Sequence, residues 1–375
     1  MLNSRAKIFF VLIFFIQGCL EKTEKQVQTE PIVIDWNARH DDELSRHISI
    51  SKVVRLETSP ESSFGRINKL LTDRENRIFI MDSDISRSIL VFDKEGKFVR
   101  KWVSGPGPYD FQEPTDFAIN TDENTIHVLC YSKKKIFTYD LNTGQHLSDQ
   151  AVPASAFRFT FWNNLIVFAN GSLEDSFITI MKDSEEISSF IPNNGWRGNA
   201  LPPFTGFQKS GTHIYFNPPG YSTIYELIDD FVTPRYTLIF ESAELYNGAE
   251  SSKENIVLNF QHFWVKNTAV INYQIKSNSF ISLFDSKTNQ VYTSMVGAGI
   301  VDPFDLCLVS ICGSDSNQFI SQVSAQQVKD FSAYIQLSGT SVDQIKDSGF
   351  DKVLAISPKI DRSDNAILIF TSLTD

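Results

Sequence analysis

One pattern constrains this chain more than any other. Ile78-Phe-Ile-Met81 is followed by Asp82, a short polar stretch, Ile89-Leu-Val-Phe92, Asp93 and a turn at Gly96. The arrangement returns at Ile126-His-Val-Leu129, Ile136-Phe-Thr-Tyr139, Asp140 and Gly144, displaced by 47 to 48 residues. Weaker copies follow at Leu165-Ile-Val-Phe168, Ile214-Tyr-Phe216, Ala269-Val-Ile-Asn-Tyr273 and Gln318-Phe-Ile320. Short β-rich runs separated by Asp, Ser and Gly read as hairpins of antiparallel sheet, because Asp and Gly supply turn geometry. Six units with a period of 40–50 residues and about four strands each predict an all-β fold, a six-bladed β-propeller. Two β-sandwich domains or a β-helix are the alternatives. A sandwich gives no reason for the repeated joint, and β-helix coils are much shorter.

The repeat also explains part of the composition. A small sheet cannot bury two apolar faces alone, so it packs on its neighbours. The 31 phenylalanines suit such wedges between sheets. Ser324–Gln336 breaks the strand pattern: Val328, Phe331, Tyr334 and Ile335 have helical spacing, and Ser324 is an apt N-cap. This predicts a helix over residues 325–336, inserted in the last blade and packed over one rim.

The chain opens differently. Arg5 and Lys7 precede an unbroken apolar run from Ile8 to Ile16, then Gln17, Gly18 and Cys19. A basic head and a run this short make an export signal rather than a spanning helix, which needs about 20 apolar residues. Ile16-Gln17-Gly18-Cys19 resembles the lipobox of bacterial lipoproteins. The resemblance implies cleavage before Cys19 and a diacylglycerol on its thiol, with the membrane as partner. The expected organisation is a signal peptide over 1–18, a lipidated cysteine and polar tether over 19–44, and a propeller over 45–375. The mature chain would hold 357 of the 375 residues and carry a formal charge of −13 against −11, because Arg5 and Lys7 leave with the signal. That acidity argues against nucleic acid as a partner. The basic run Lys133-Lys134-Lys135 reads as a solvated turn.

Chemistry-bearing motifs are sparse. Cys130, Cys307 and Cys312 are expected as buried free thiols, the last two lying in one strand-like stretch too extended for a disulfide. His40, His47, His127, His146, His213 and His262 include no pair at metal-binding spacing. Aligned by the repeat, His213 falls on Ile78 and His127 on Phe79, which would point them to opposite faces. Asp73, Asp82 and Asp84 lie in or beside turns and read as turn-formers rather than calcium ligands. No metal site and no cofactor is expected. Trp196 and Arg197, in a Gly- and Pro-rich loop, and Tyr221, in Asn217-Pro-Pro-Gly-Tyr221, are the candidate binding residues, since Trp, Arg and Tyr are enriched in hot spots. Plugging of the propeller rim is their plainer role.

Gly105-Pro-Gly-Pro-Tyr-Asp-Phe111 with Pro114 looks like the joint of NHL-type propellers, with Pro108-Tyr109-Asp110 as a departure. The whole chain resembles the six-bladed propeller lipoproteins of diderm bacteria. That resemblance implies a fold and a place in the cell envelope, on the outer membrane, but no reaction. It further implies that Ile48–Leu56 pairs beside Ala366–Leu373, so that both ends of the chain complete one blade. The expected function is a lipid-anchored module that binds or scaffolds a protein, peptide or glycan. The alternative is a metal-dependent lactonase- or lyase-like enzyme.

Overall fold

The computed structural model describes residues 29–38, 40, 44–171, 175–192, 206–228, 231–246, 254–296, 307–338 and 349–374. In chain order, β1 (Glu30–Ile34) and β2 (Ile48–Arg55) precede the first complete blade. Blade 1 is β3 (Lys69–Thr72), β4 (Ile78–Asp82), β5 (Ser88–Phe92) and β6 (Phe98–Val103). Blade 2 is β7 (Asp116–Asn120), β8 (Thr125–Cys130), β9 (Lys135–Asp140) and β10 (His146–Ala151). Blade 3 is β11 (Ala156–Trp162), β12 (Leu165–Asn170), β13 (Ser176–Lys182) and β14 (Glu185–Pro192). Blade 4 holds β15 (Gln208–Ser210), β16 (His213–Phe216), β17 (Thr223–Ile228) and β18 (Phe231–Phe240). Blade 5 holds β19 (Glu244–Leu245), β20 (Ile256–Val265), β21 (Thr268–Ile275), β22 (Asn278–Asp285) and β23 (Gln290–Met295). Blade 6 is β24 (Ile311–Ser314), β25 (Gln318–Val323), β26 (Ile367–Leu373) and, from the other end of the chain, β2. The fold is the six-bladed β-propeller the repeat predicts.

Strand alternation explains the ring. In β4, Ile78 and Ile80 face blade 6, packing with Ile320, Leu368 and Phe370. Phe79 and Met81, one residue out of phase, face blade 2 and meet Phe117, Ile126 and Val128. Blade 2 packs on blade 3 through Leu129, Ile136 and Phe168, and blade 3 on blade 4 through Val167, Ile178 and Phe216. Blades 4 and 5 join through Tyr236, Trp264 and Phe284, and blades 5 and 6 through Phe263, Leu283 and Phe319. Every four-stranded sheet therefore covers both faces with its neighbours. Gly96, at φ +87°, shows why the repeated turn requires glycine: a Cβ there would lie 2.2 Å from the Arg55 carbonyl oxygen of the adjoining blade.

The two ends of the chain meet as expected. β2 pairs antiparallel with β26 from Ile48↔Leu373 to Arg55↔Ile367. The propeller, however, takes in chain ahead of the expected boundary at residue 45, from the stretch expected as a tether. β1 pairs in parallel with β18, Glu30↔Tyr236 to Ile34↔Phe240, as a fifth strand on the outer edge of blade 4. Ile32 and Ile34 are fully buried, and that burial outweighs the polar composition around them. Beyond β1, Trp36 Nε1 donates to the Glu241 carbonyl and the ring packs edge-on against Phe280. His40 then accepts the Thr293 N–H at Nδ1, 3.1 Å. The described residues between 30 and 55 thus strap the outer edges of blades 4, 5 and 6.

The inserted helix α1 (Ala325–Ser338) starts at a reciprocal cap: Gln327 N–H donates to Ser324 Oγ (3.1 Å), and Ser324 N–H to Gln327 Oε1 (2.8 Å). Its location differs from the expected rim. Val328, Phe331 and Ile335 pack with Ile50, Ile367 and Ile369, on the face of blade 6 where Phe319 meets blade 5. Tyr334 is outside this seam and exposed. A second helix, α2 (Asp351–Ile356), adds Val353 to the same cluster; at six residues it is too short to announce itself by periodicity. Among the described residues no helix is long and apolar enough to cross a membrane.

The β2–β26 pairing closes the ring, so deleting residues 365–375 should abolish cooperative unfolding. The check is a calorimetric melt of the truncated chain. A transition as sharp as that of the full chain would show that the ring does not depend on this pairing.

Candidate functional site

The inner strands of the six blades surround a cavity of about 790 Å³. Four antiparallel strands return the chain to the face it left, so the inner strands all begin on one face of the ring. That geometry sorts the lining residues. Arg66 and Lys69 precede or open β3, and Arg158 stands near the start of β11. Lys209, exposed between buried Gln208 and Ser210, pairs with Ile214 as Thr72 pairs with Ile78, which sets it further along the channel, toward the mouth where the inner strands end. At the opposite mouth Arg74 is accompanied by Asp73 and Asp315, the two carboxylates lining the cavity among the described residues.

A polar relay crosses three blades at the first mouth. Lys69 Nζ donates to Asp116 Oδ1 at 2.6 Å and to the Phe117 carbonyl at 2.8 Å. The other oxygen of Asp116 accepts the Phe159 N–H at 2.8 Å. Asp116 is nearly inaccessible, with 1% of its side chain exposed, so the ammonium and the amide offset its desolvation. Burial pulls the Lys69 pKa below its ordinary value, Asp116 opposes this, and the nearby Arg158 charge adds to the lowering. Arg158 Nη1 donates to the carbonyls of Thr115 and Phe157, both at 2.8 Å. Sequence reasoning missed these residues. One signal was available: Lys69 and Asp116 are 47 positions apart, the repeat period, and both open the inner strand of their blade.

The predicted site residues fare variously. Cys19, Trp196 and Arg197 lie outside the described residues. Tyr221 is tied into its loop: its hydroxyl donates to the Pro192 carbonyl at 2.9 Å, and its own carbonyl accepts Asn217 Nδ2. Asp73 and Asp82 act as turn-formers, whereas the Asp84 carboxylate meets only side chains. Asp82 accepts the N–H groups of Gly65, Ile85 and Ser86. Burial raises its pKa, and these bonds outweigh that and leave it lowered. Asp73 accepts the N–H groups of Glu75 and Arg77, and Asp84 accepts Asn68 Nδ2. Lys134 occupies the turn position at φ +53°, but Lys133 is more than solvated: its Nζ clamps the carbonyls of Gly107 and Asp110.

Cys130, Cys307 and Cys312 are free thiols. Only Cys312 belongs to β24; Cys307 packs beneath the inserted helices, so the two do not share a strand. Burial pushes the Cys312 thiol up to about 12. Among the described residues no three His, Cys, Asp or Glu side chains gather as metal ligands. His213 stacks on Tyr215 and His127 meets Phe161, so both point toward the following blade rather than opposite ways. At β16 it is Ile214, not His213, that holds the place of Ile78. They still occupy different inter-blade seams.

His127 is held by Thr125 and Thr138, and burial lowers it to about 4. His262 accepts Trp264 Nε1–H at 3.0 Å and burial lowers it to about 3. Both are neutral when folded, while the unfolded chain protonates below about pH 6.5. Folded pKa values below the unfolded one mean stability is lost as pH falls from about 6.5 toward 4. Urea midpoints should therefore drop between pH 6.5 and 4.5, above the carboxylate range. The double variant H127N/H262N should flatten that slope; an unchanged slope would assign it to other groups.

Residues 31–372 match the family described as a domain of unknown function (DUF4934). Comparison with curated proteins found no match. Among solved structures, a putative exported protein from Bacteroides fragilis NCTC 9343 superposes with a TM-score of 0.73 at 16% identity, covering 93% of this chain and 100% of that one. A member of the DUF4221 family from Bacteroides vulgatus ATCC 8482 superposes with a TM-score of 0.52 at 8% identity, covering 88% and 99%. At these identities the likeness is one of fold.

Proposed function

The chain belongs to the DUF4934 family, and from that premise we propose that it is an envelope lipoprotein whose propeller binds or scaffolds a protein, peptide or glycan. The observation that carries the binding role is the closed ring around an open, polar-lined cavity of about 790 Å³, within the size range of small-molecule sites. Residues 1–18 act as the export signal and Cys19 carries the lipid, with the outer membrane as destination. The lipobox-like Ile16-Gln17-Gly18-Cys19 supports this reading, as does the export ascribed to the Bacteroides fragilis neighbour. Two or three acyl chains on one residue hold a protein stably on a bilayer.

The architecture agrees with such tethering. The strand Glu30–Ile34 lies on the outer circumference of blade 4, away from the axis of the ring. Residues 20–29 span at most about 35 Å when extended. A leash attached to the side leaves both mouths of the cavity clear. The joint Gly105–Phe111 fits an NHL-like identity: Gly105 N–H donates to the Phe111 carbonyl (3.0 Å) and Phe111 is buried between blades 1 and 2.

A tagged copy in cells tests the proposal. The full chain should sediment with membranes and Cys19→Ala should not. Crosslinking on intact cells should capture an envelope partner that Trp196→Ala with Arg197→Ala loses. A Cys19→Ala protein that stays with the membrane would remove the lipid anchor. No partner above background would remove the scaffolding role.

A further inference from the structure

The cavity has a charge opposite to that of the molecule around it. The chain carries 45 acidic and 34 basic residues, a net charge of −11. Yet Arg66, Lys69, Arg74, Arg158 and Lys209 line the cavity against Asp73 and Asp315. Both carboxylates are engaged in turns: Asp73 with Arg77 and backbone N–H groups, and Asp315 with the N–H groups of Asn317 and Gln318.

The surplus runs along the channel: Arg66, Lys69 and Arg158 stand where the inner strands begin, and Lys209 lies further along. Arg66 pairs loosely with Asp84, at 3.4 Å between exposed side chains. Lys69 has Asp116. Among the described residues neither Arg158 nor Lys209 has a carboxylate within 4 Å. Arg158 is fixed by its two carbonyl bonds through Nη1, which leaves Nε and Nη2 as further donors. Lys209 is presented by a backbone held on both sides, since Ser210 Oγ donates to the Lys266 carbonyl of blade 5. Apolar walls from Leu70, Ile119 and Phe161 keep the field of these cations from being screened as it would be on an open surface.

We propose that the channel is a binding site for a small hydroxylated organic anion, its carboxylate, sulfate or phosphate groups received by Arg158 near one mouth and by Lys209 further along, with Arg66 at the rim. Gln261, Gln322 and Thr160 line the same cavity and suit the hydroxyl groups of such a ligand. The inference deepens the binding-module reading and rests on it, because it names the ligand class of the same ring. An acidic exterior would also slow the approach of anions except along the channel axis, which makes the site selective by route as well as by contact.

Calorimetric titration of the full chain in detergent tests it with four probes: trigalacturonate, citrate, inorganic phosphate and the neutral maltotriose. An anionic probe should bind with Kd below about 1 mM in about 50 mM salt and weaken several-fold in about 300 mM salt. Lys209→Glu should weaken it about tenfold or more, and Arg158→Gln likewise. Lys209 is exposed, so K209E tests the site even if the loss of two carbonyl bonds unfolds R158Q. Lys134→Glu, at an outer turn, should leave binding unchanged. The proposal is overturned if no anion saturates, if K209E binds as tightly as the native chain, or if maltotriose binds as well as trigalacturonate. Failure of every anion while crosslinking still captures a partner would discard the ligand class and leave the binding-module reading intact.

Discussion

A four-stranded sheet in this protein has no solvent face. Ile78 and Ile80 point one way and Phe79 and Met81 the other, and all four are buried. Such a sheet is stable only between two others of the same kind. The requirement passes from blade to blade until the sixth meets the first, and Leu368 and Phe370 on β26 pack against Phe92 of blade 1. Closure is therefore a condition for every blade rather than a feature of the last. The hydrogen-bonded pairing of β2 with β26 secures that closure, since an early and a late strand of the chain share one sheet.

The ring was legible in the sequence because its cause is periodic. Turn residues such as Asp93 and Gly96 recur with the strands they join, and a repeat of that length admits few folds. The cap of α1 was legible because Ser324 and Gln327 are three residues apart. What was hidden depended on single residues or on distance. Ile32 and Ile34 lie in a polar stretch with no repeat to flag them, so the strap read as part of a tether. Of the channel cations, Arg66, Lys69 and Arg74 belong to blade 1 while Arg158 and Lys209 come from blades 3 and 4, and no local window contains two of Lys69, Arg158 and Lys209. Only the ring brings them together. Tyr221 shows the converse: its composition suggested a contact residue, while its hydroxyl is tied to Pro192.

Repetition fixes positions more strictly than it fixes chemistry. Asp82 closes the turn after the second strand of blade 1 by accepting backbone N–H groups. Cys130 holds the same place in blade 2, 48 residues on, where burial raises its pKa but hydrogen bonds from the Glu113 N–H and Ser132 outweigh that and leave it lowered. In blade 3 the place passes to Asn170, which instead donates to the Ser176 carbonyl. Each turn retains a side-chain partner, and the sign of the hydrogen bond is free to change. A thiol in a seat shaped for a carboxylate is a natural result of that freedom.

The strap over blades 4, 5 and 6 has a mechanical consequence. If the protein is anchored ahead of residue 30, a pull from the membrane reaches the fold at β1. There it meets a five-residue parallel ladder on β18 with Ile32 and Ile34 locked in the seam beneath it. Next in line are the contacts of Trp36 with Phe280 and of His40 with Thr293, both in blade 5. Only after those does tension arrive at β2, the strand that keeps the ring shut. The strap works as a strain relief, of the kind that protects a cable where it enters its housing.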